Sequence, residues 1–165
     1  MDKKTLKDKI VSSMFVISKK PVLFRDLLEA NAMFNEGMLV DPSKLNFRFL
    51  YGKSYVIFGF FCLSVLAPFF LITHRYFTKI NVHFSIILTI LITSFIFIFF
   101  DVFKAWARKE LTKRLIKEAW KLHFPYFPYE KYSSKVELIY NEALQKKIQR
   151  TNLEQYVLDR IVKED

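Results

Sequence analysis

Residues Tyr55 to Thr73 read YVIFGFFCLSVLAPFFLIT and residues Val82 to Phe100 read VHFSIILTILITSFIFIFF, two runs of 19 residues without Asp, Glu, Lys or Arg. At about 1.5 Å rise per residue, each would form a helix about 28 Å long, close to the thickness of a bilayer's hydrocarbon layer. In the second run, every position from Phe84 to Phe100 except Ser85, Thr89, Thr93 and Ser94 is Ile, Leu or Phe. At about −0.3 to −0.6 kcal/mol each they contribute roughly −4 to −8 kcal/mol toward insertion. The first run is weaker, because Gly59, Cys62, Ser64, Ala67 and Pro68 interrupt it, although every other position from Val56 to Ile72 is Val, Ile, Leu or Phe. A soluble core is the competing reading, but a chain of 165 residues is small to enclose two such runs. The sequence therefore predicts an all-α, two-pass membrane protein.

Only the short segment His74 to Asn81 joins the two runs, so the helices are expected to form an antiparallel hairpin with both termini on one side. The joining loop holds Arg75 and Lys79, whereas the flank from Asp101 to Trp120 holds six basic residues and that from Asn35 to Ser54 holds three. Positive residues are retained on the cytoplasmic side, so both termini are predicted to be cytoplasmic. The chain's formal charge is +10 at pH 7, divided as +4 before Tyr55, +2 in the loop and +4 from Asp101 onward. A bacterial inner membrane is the first expectation for location and the mitochondrial inner membrane the second. The stretch from Met1 to Ala30 lacks the apolar run of a cleavable signal, so insertion is expected to rely on the internal spans.

Around the hairpin (55–100, with spans 55–73 and 82–100 and loop 74–81) four further regions are expected. An N-terminal cytoplasmic arm (1–54) begins with Leu6, Ile10, Met14 and Ile17 at helical spacing, predicting an amphipathic helix that ends before Lys19. A second short helix is expected over 22–34, stopped by Gly37. Leu45, Phe47, Phe49 and Tyr51 alternate with other residues, which suits either a strand or a segment at the headgroup boundary, and the interfacial reading is preferred. No Gly or Pro appears between Phe100 and Pro125, so the second span is expected to continue as a basic helical extension over 101–123.

A Pro/aromatic corner (124–132) follows, in which Phe124-Pro125-Tyr126 is repeated as Phe127-Pro128-Tyr129. Two prolines end the helix and impose extended geometry. Pro125, Tyr126, Pro128 and Tyr129 also match the Pro-x-x-Pro pattern of peptide ligands, although a stiff corner with packed rings is preferred. In the last region (133–165), Ser134 with Glu137 and Thr151 with Glu154 have capping-box spacing and predict two short helices. Six basic and six acidic residues balance across this region, which disfavours a DNA-reading face and favours protein contact.

Chemistry-bearing patterns are sparse. The lone cysteine, Cys62, lies inside an apolar run, and His74, His83 and His123 are spaced by 9 and 40, which fits no helical metal-ligand pair. Gly37, Gly52 and Gly59 are isolated, so no glycine-rich phosphate loop exists. No metal, cofactor or small-molecule substrate is expected, and the chain is read as non-enzymatic. Ionisable residues, which mark ion pathways, are missing from the apolar cores.

Two polar surfaces stand out. Ser85, Thr89 and Thr93 recur every four residues as a small-residue stripe that, with the Pro68 kink, suits helix packing, unless each hydroxyl bonds its own helix and faces lipid. Lys109, Lys113, Lys117 and Lys121 form a lysine ridge, expected to be flanked by Trp106 and Trp120, while Ala107, Leu111, Leu115, Ala119 and Leu122 form a separate apolar face. The ridge suits anionic lipid or an acidic partner, against the plainer reading of a solvated face that enforces orientation. The expected function is an accessory, anchoring or assembly subunit of a larger membrane complex, with membrane lipids and other subunits as partners. A pore-forming or transport-associated subunit is the alternative.

Overall fold

The computed structural model describes residues 5–77 and 82–163, without side-chain placement for 73–77 and 82. Among these the chain is mostly helical, and it divides into two compact units. The first comprises residues up to Met14 together with Phe49–Ala107; the second comprises Phe15–Arg48 and Arg108–Asp165.

In the first unit, α1 (Leu6–Ser13) opens with a capping box: the Thr5 hydroxyl accepts from the Asp8 N–H at 3.3 Å, and the Asp8 carboxylate accepts from the Thr5 N–H at 3.0 Å. These bonds satisfy N–H groups that a helix start leaves orphaned. The Leu50 N–H donates to the Met14 carbonyl at 2.8 Å, tying the end of this helix to the start of α3 (Tyr51–Phe77). α3 runs through Pro68, which offers no N–H to the Ser64 carbonyl four residues back. It also runs past Thr73 to Phe77, and the rest of the expected joining loop lies outside the described residues. α4 (Val82–His123) is one continuous helix that contributes residues to both units. Its length follows from composition, since Asp101 and Lys104 bring charge without introducing any helix breaker.

α3 and α4 are the two helices long and apolar enough to cross a membrane, and only 6% of the most apolar window of each is buried. Their mutual face is a seam at four-residue spacing. Phe58, Cys62 and Leu66 on α3 meet Ile92 and Ile96 on α4, around a wholly apolar cavity of about 560 Å³.

The second unit buries its own core. α2 (Phe24–Asn35) packs against α5 (Tyr129–Gln145), which packs against α6 (Leu153–Lys163). Leu27, Leu28, Leu111, Ile116, Val136, Val157 and Ile161 are all nearly or fully inaccessible. α2 ends at Asn35 with Glu36 as its cap, and the chain then turns at Gly37, whose φ of +78° a residue with a Cβ rarely adopts.

Several local expectations are corrected. The N-terminal apolar pattern does not extend one helix to Ser18: α1 ends at Ser13, and Phe15–Ile17 form a strand, β1. Phe47–Phe49 form β2, paired with β1, so within the alternation at 45–51 these three residues take the strand form, the less preferred of the two readings. Bonds linking 14 with 50 and 18 with 46 make the pair antiparallel. Three-residue strands are too short to show their period, and a lone two-stranded pair is marginal in water; here Phe15 and Phe47 bury their rings edge to face at 5.6 Å. α5 starts after Pro128, well before the Ser134 signal, because proline suits a helix start and its ring ends the preceding corner. Ser134 is therefore an exposed residue inside the helix. α6 likewise starts after Asn152, whose carbonyl accepts the first bond from the Tyr156 N–H at 2.9 Å, and not at Thr151.

Candidate membrane and partner interface

The described part of the first unit presents an aromatic collar where the N-terminal end of α3 meets the middle of α4. Tyr55 stacks on Phe100 at 4.5 Å, Phe58 meets Phe100 at 5.3 Å and Phe103 at 5.4 Å, and Phe103 stacks on Trp106 at 5.9 Å. The ammonium of Lys7 on α1 lies 5.5 Å above the Trp106 ring. Aromatic residues with one apolar and one polar side favour the boundary between hydrocarbon and headgroups. The rings come from positions far apart in the chain, so their convergence was invisible in the sequence, although the clustering of Tyr and Phe on each flank was a usable signal.

The hydroxyls of the stripe that donate within the helix are those of Thr89 and Thr93. The Thr89 hydroxyl donates to the Ser85 carbonyl at 2.9 Å, that of Thr93 to the Thr89 carbonyl at 2.8 Å, and Ser94, off the stripe, does the same to Ile90. These side chains are exposed and satisfied within their own helix. Ser85 and Thr89 border a shallow groove with Leu66, Phe69 and Phe70, whereas the half-buried positions of α4 here are Leu88, Ile92 and Ile96.

In the second unit, the lysine ridge separates into two parts. Lys109, Lys113 and Lys121 are exposed. Lys117 donates to the Glu130 carboxylate at 2.5 Å and lies 5.2 Å above the Tyr129 ring, so α5 supplies it with a fixed counter-charge. That contact, with Lys113 nearby, holds the Glu130 carboxyl below its ordinary value. Arg114 reaches Glu118 at 3.5 Å. Of the two tryptophans expected beside the ridge, Trp106 is 43% exposed but Trp120 only 2%. Trp120 donates from its indole N–H to the Phe127 carbonyl at 2.7 Å and packs on Phe124 and Tyr129, so it closes the corner from a buried position next to Lys117 and Lys121. The apolar face also shortens: Ala107, Leu111, Leu115 and Ala119 are buried, whereas Leu122 is 73% exposed.

No family model matches the chain, and neither a curated protein nor a solved structure is similar to it. The geometry is therefore the only guide to what these surfaces do.

The Pro/aromatic corner is held from inside. Phe124 is buried, its ring 5.3 Å from Phe24, and Phe127 meets Tyr132 at 5.1 Å. Of the four residues that match a peptide-ligand pattern, Pro125, Tyr126 and Pro128 are exposed, while Tyr129 packs edge-on against Trp120. His123 contacts the Val22 carbonyl at 2.8 Å through Nε2, which makes it a fastener between the end of α4 and the N-terminal arm. His74 lies outside the residues whose side chains are described. Among the described residues, no group of three or more His, Cys, Asp or Glu converges on a point.

Sequence reasoning missed the polar contacts that join distant segments. Asn31 on α2 donates to the Ser133 carbonyl at 2.9 Å and accepts from the Ser133 hydroxyl at 2.8 Å, both residues being buried. Asn35 bonds Ser133 and Glu137 on the same face of α5. Arg108 donates to the Val40 carbonyl at 2.5 Å, and Lys44 binds Glu29 at 2.8 Å, which raises the Lys44 ammonium's affinity for its proton. Glu142 accepts from Lys146 at 2.6 Å and Arg160 at 2.9 Å, and these two cations lower its pKa to about 2.

Proposed function

We propose that the chain is a two-pass integral membrane protein that serves as a non-enzymatic accessory or assembly subunit of a larger membrane complex, with both termini cytoplasmic. One observation carries the reading: only 6% of the most apolar window of α3 and of α4 is buried, while the second unit buries Leu27, Leu28, Leu111, Ile116, Val136, Val157 and Ile161 in a core of its own. A helix of a soluble core is covered on most sides, and exposed apolar patches on soluble monomers rarely exceed a few hundred Å². A bilayer supplies the missing cover. Nine basic residues in the flanks against two in the loop support the orientation.

Support for an assembly role comes from the distribution of polar groups. Long-range polar contacts in the second unit link α2 to α5 and the arm to α4, building a rigid helical body with exposed Leu138, Leu144 and Val162 on its surface. Such a body on a membrane hairpin suits partner binding. Thr89, Thr93 and Ser94 donate their hydroxyl protons to their own helix, which weakens the pore alternative.

Alkaline carbonate extraction followed by purification in mild detergent and mass spectrometry tests the reading. The chain should stay in the membrane pellet and copurify with other subunits at fixed stoichiometry. Release by carbonate defeats the membrane assignment. A homo-oligomer that conducts ions after reconstitution replaces the assembly reading with the pore alternative.

A further inference from the structure

Within the second unit, α2 runs back along α4. Its first residue, Phe24, sets its ring 5.3 Å from Phe124, just past the end of α4. The chain that leaves α2 meets α4 at the other end of this unit, where the Arg108 guanidinium donates to the Val40 carbonyl at 2.5 Å. α2 therefore aims its C-terminal end back toward the apolar run of α4. Arg108 lies eight residues beyond Phe100, about 12 Å along the helix axis, and the headgroup layer on each side of a bilayer takes up about 5–7 Å of that.

The end that α2 presents there is apolar. The Met38 N–H returns to the Met33 carbonyl at 2.9 Å and the Gly37 N–H to the Phe34 carbonyl at 3.1 Å, the paired bonds of a Schellman cap, so carbonyls that a helix end leaves orphaned are taken within the turn. Outward from this cap stand Met38, 48% exposed, and Leu39, 53% exposed, with Met33 and Phe34 half-buried behind them. Val40 is buried again, so the exposed pair is held between the cap on one side and the Arg108 bond on the other. Asn35 turns away to bond Ser133 and Glu137 on α5. Glu36 is exposed on the same turn, and its carboxylate keeps this end at headgroup level and out of the hydrocarbon. Scattered exposed apolar side chains are ordinary on a protein surface. This pair differs because α2 and Arg108 fix it at the level where a bilayer spanned by α4 ends.

We propose that the Met38–Leu39 turn docks on the membrane itself, its two side chains reaching between the lipid headgroups to the acyl boundary of the leaflet from which α4 emerges. The inference rests on the membrane reading above and adds a contact that the spans do not make. The turn then holds the second unit down on the bilayer surface, with Arg108 as the brace that keeps it at that depth.

The test uses the full chain in a Cys62→Ala background, reconstituted in phosphatidylcholine nanodiscs, with a nitroxide on a single cysteine introduced by Met38→Cys, Leu39→Cys, Ser134→Cys or Phe97→Cys. All four positions are exposed, so the label replaces no core side chain. Electron paramagnetic resonance reads collisions with oxygen, which concentrates in lipid, and with a water-soluble nickel chelate. At 38 and 39 oxygen should outweigh nickel, as at 97 within the span, and the order should reverse at 134 on α5. The order at 38 and 39 should persist at high salt, because the contact is apolar. Its loss at high salt assigns the contact to charge and overturns the docked turn. Nickel-dominated collisions at 38 and 39 beside oxygen-dominated collisions at 97 also overturn it and leave the membrane reading standing. Nickel-dominated collisions at all four positions defeat the turn and the membrane reading together. Protection from both reagents at 38 and 39 means that protein covers the turn, and this too overturns the lipid contact.

Discussion

Asn31 is fully buried, and both ends of its amide are committed to Ser133, a residue 102 positions away. Removing one partner of a buried hydrogen bond costs more than the bond is worth, because the survivor stays out of water. Asn31→Ala should lower the unfolding free energy by about 1–3 kcal/mol, measured by circular dichroism of the chain in detergent; a loss well under the lower figure would mean that Asn35 takes over the Ser133 hydroxyl. Glu142 makes a pH prediction. Its pKa falls from the ordinary 4.5 to about 2 in the folded state through Lys146 and Arg160. A carboxyl depressed on folding adds stability above its unfolded pKa and loses it as the pH falls through the folded value. Glu142→Gln should thus be less stable than the unsubstituted chain at neutral pH, and the difference should vanish between pH 4.5 and about 2.

At the scale of elements, α4 carries three faces whose roles separate by mutation. The ridge lysines that stay exposed, Lys109, Lys113 and Lys121, are expected to govern salt-sensitive association with anionic surfaces. Replacing these three with glutamine should abolish cosedimentation of the nanodisc-held chain with anionic liposomes at low salt while leaving the unfolding midpoint in place. Lys117→Gln should do the reverse, keeping liposome binding and lowering the unfolding midpoint by the small amount that a surface ion pair contributes, because its partner is Glu130 on α5. In the hairpin the seam residue outweighs the hydroxyl. Ile92→Ala opens the apolar cavity between α3 and α4, and being half-buried should cost about half of the roughly 2–5 kcal/mol of a core Ile→Ala change. Thr89→Leu removes only a bond within α4 and should leave thermal stability in detergent nearly unchanged. Comparable losses for the two variants would restore the stripe as a packing surface.

For the whole molecule, topology is the decisive measurement. In a Cys62→Ala background, a cysteine at Ser134, exposed on α5, should resist an impermeant thiol reagent in intact cells, and one at Thr78 should react. Labelling at Ser134 alone inverts the orientation. Legibility followed the range of the forces involved. The unbroken course of α4 through residues 101–123 was readable because no residue there breaks a helix. The strands Phe15–Ile17 and Phe47–Phe49 were not, because Leu6, Ile10, Met14 and Ile17 repeat at helical spacing and the pairing that overrides them joins segments on either side of α2.

What the sequence determined by itself is the existence of two long apolar helices, since the free energy of transferring a helix from water sums residue by residue over Tyr55–Thr73 and Val82–Phe100 and requires no knowledge of neighbours. The end of α4 belongs to the same class, because Pro125 and Pro128 act on their own backbone. Only the tertiary structure decided the fate of individual polar and aromatic side chains. Trp120 and Trp106 sit on one helix and are equally amphipathic, yet one is sealed under Phe124 and Tyr129 and the other lies beneath Lys7 beside an open groove. Lys117 differs from its three ridge neighbours only because Glu130 arrives from α5. Burial and pairing are set by whichever segment packs alongside, and that is a property of the folded chain and not of any stretch of it.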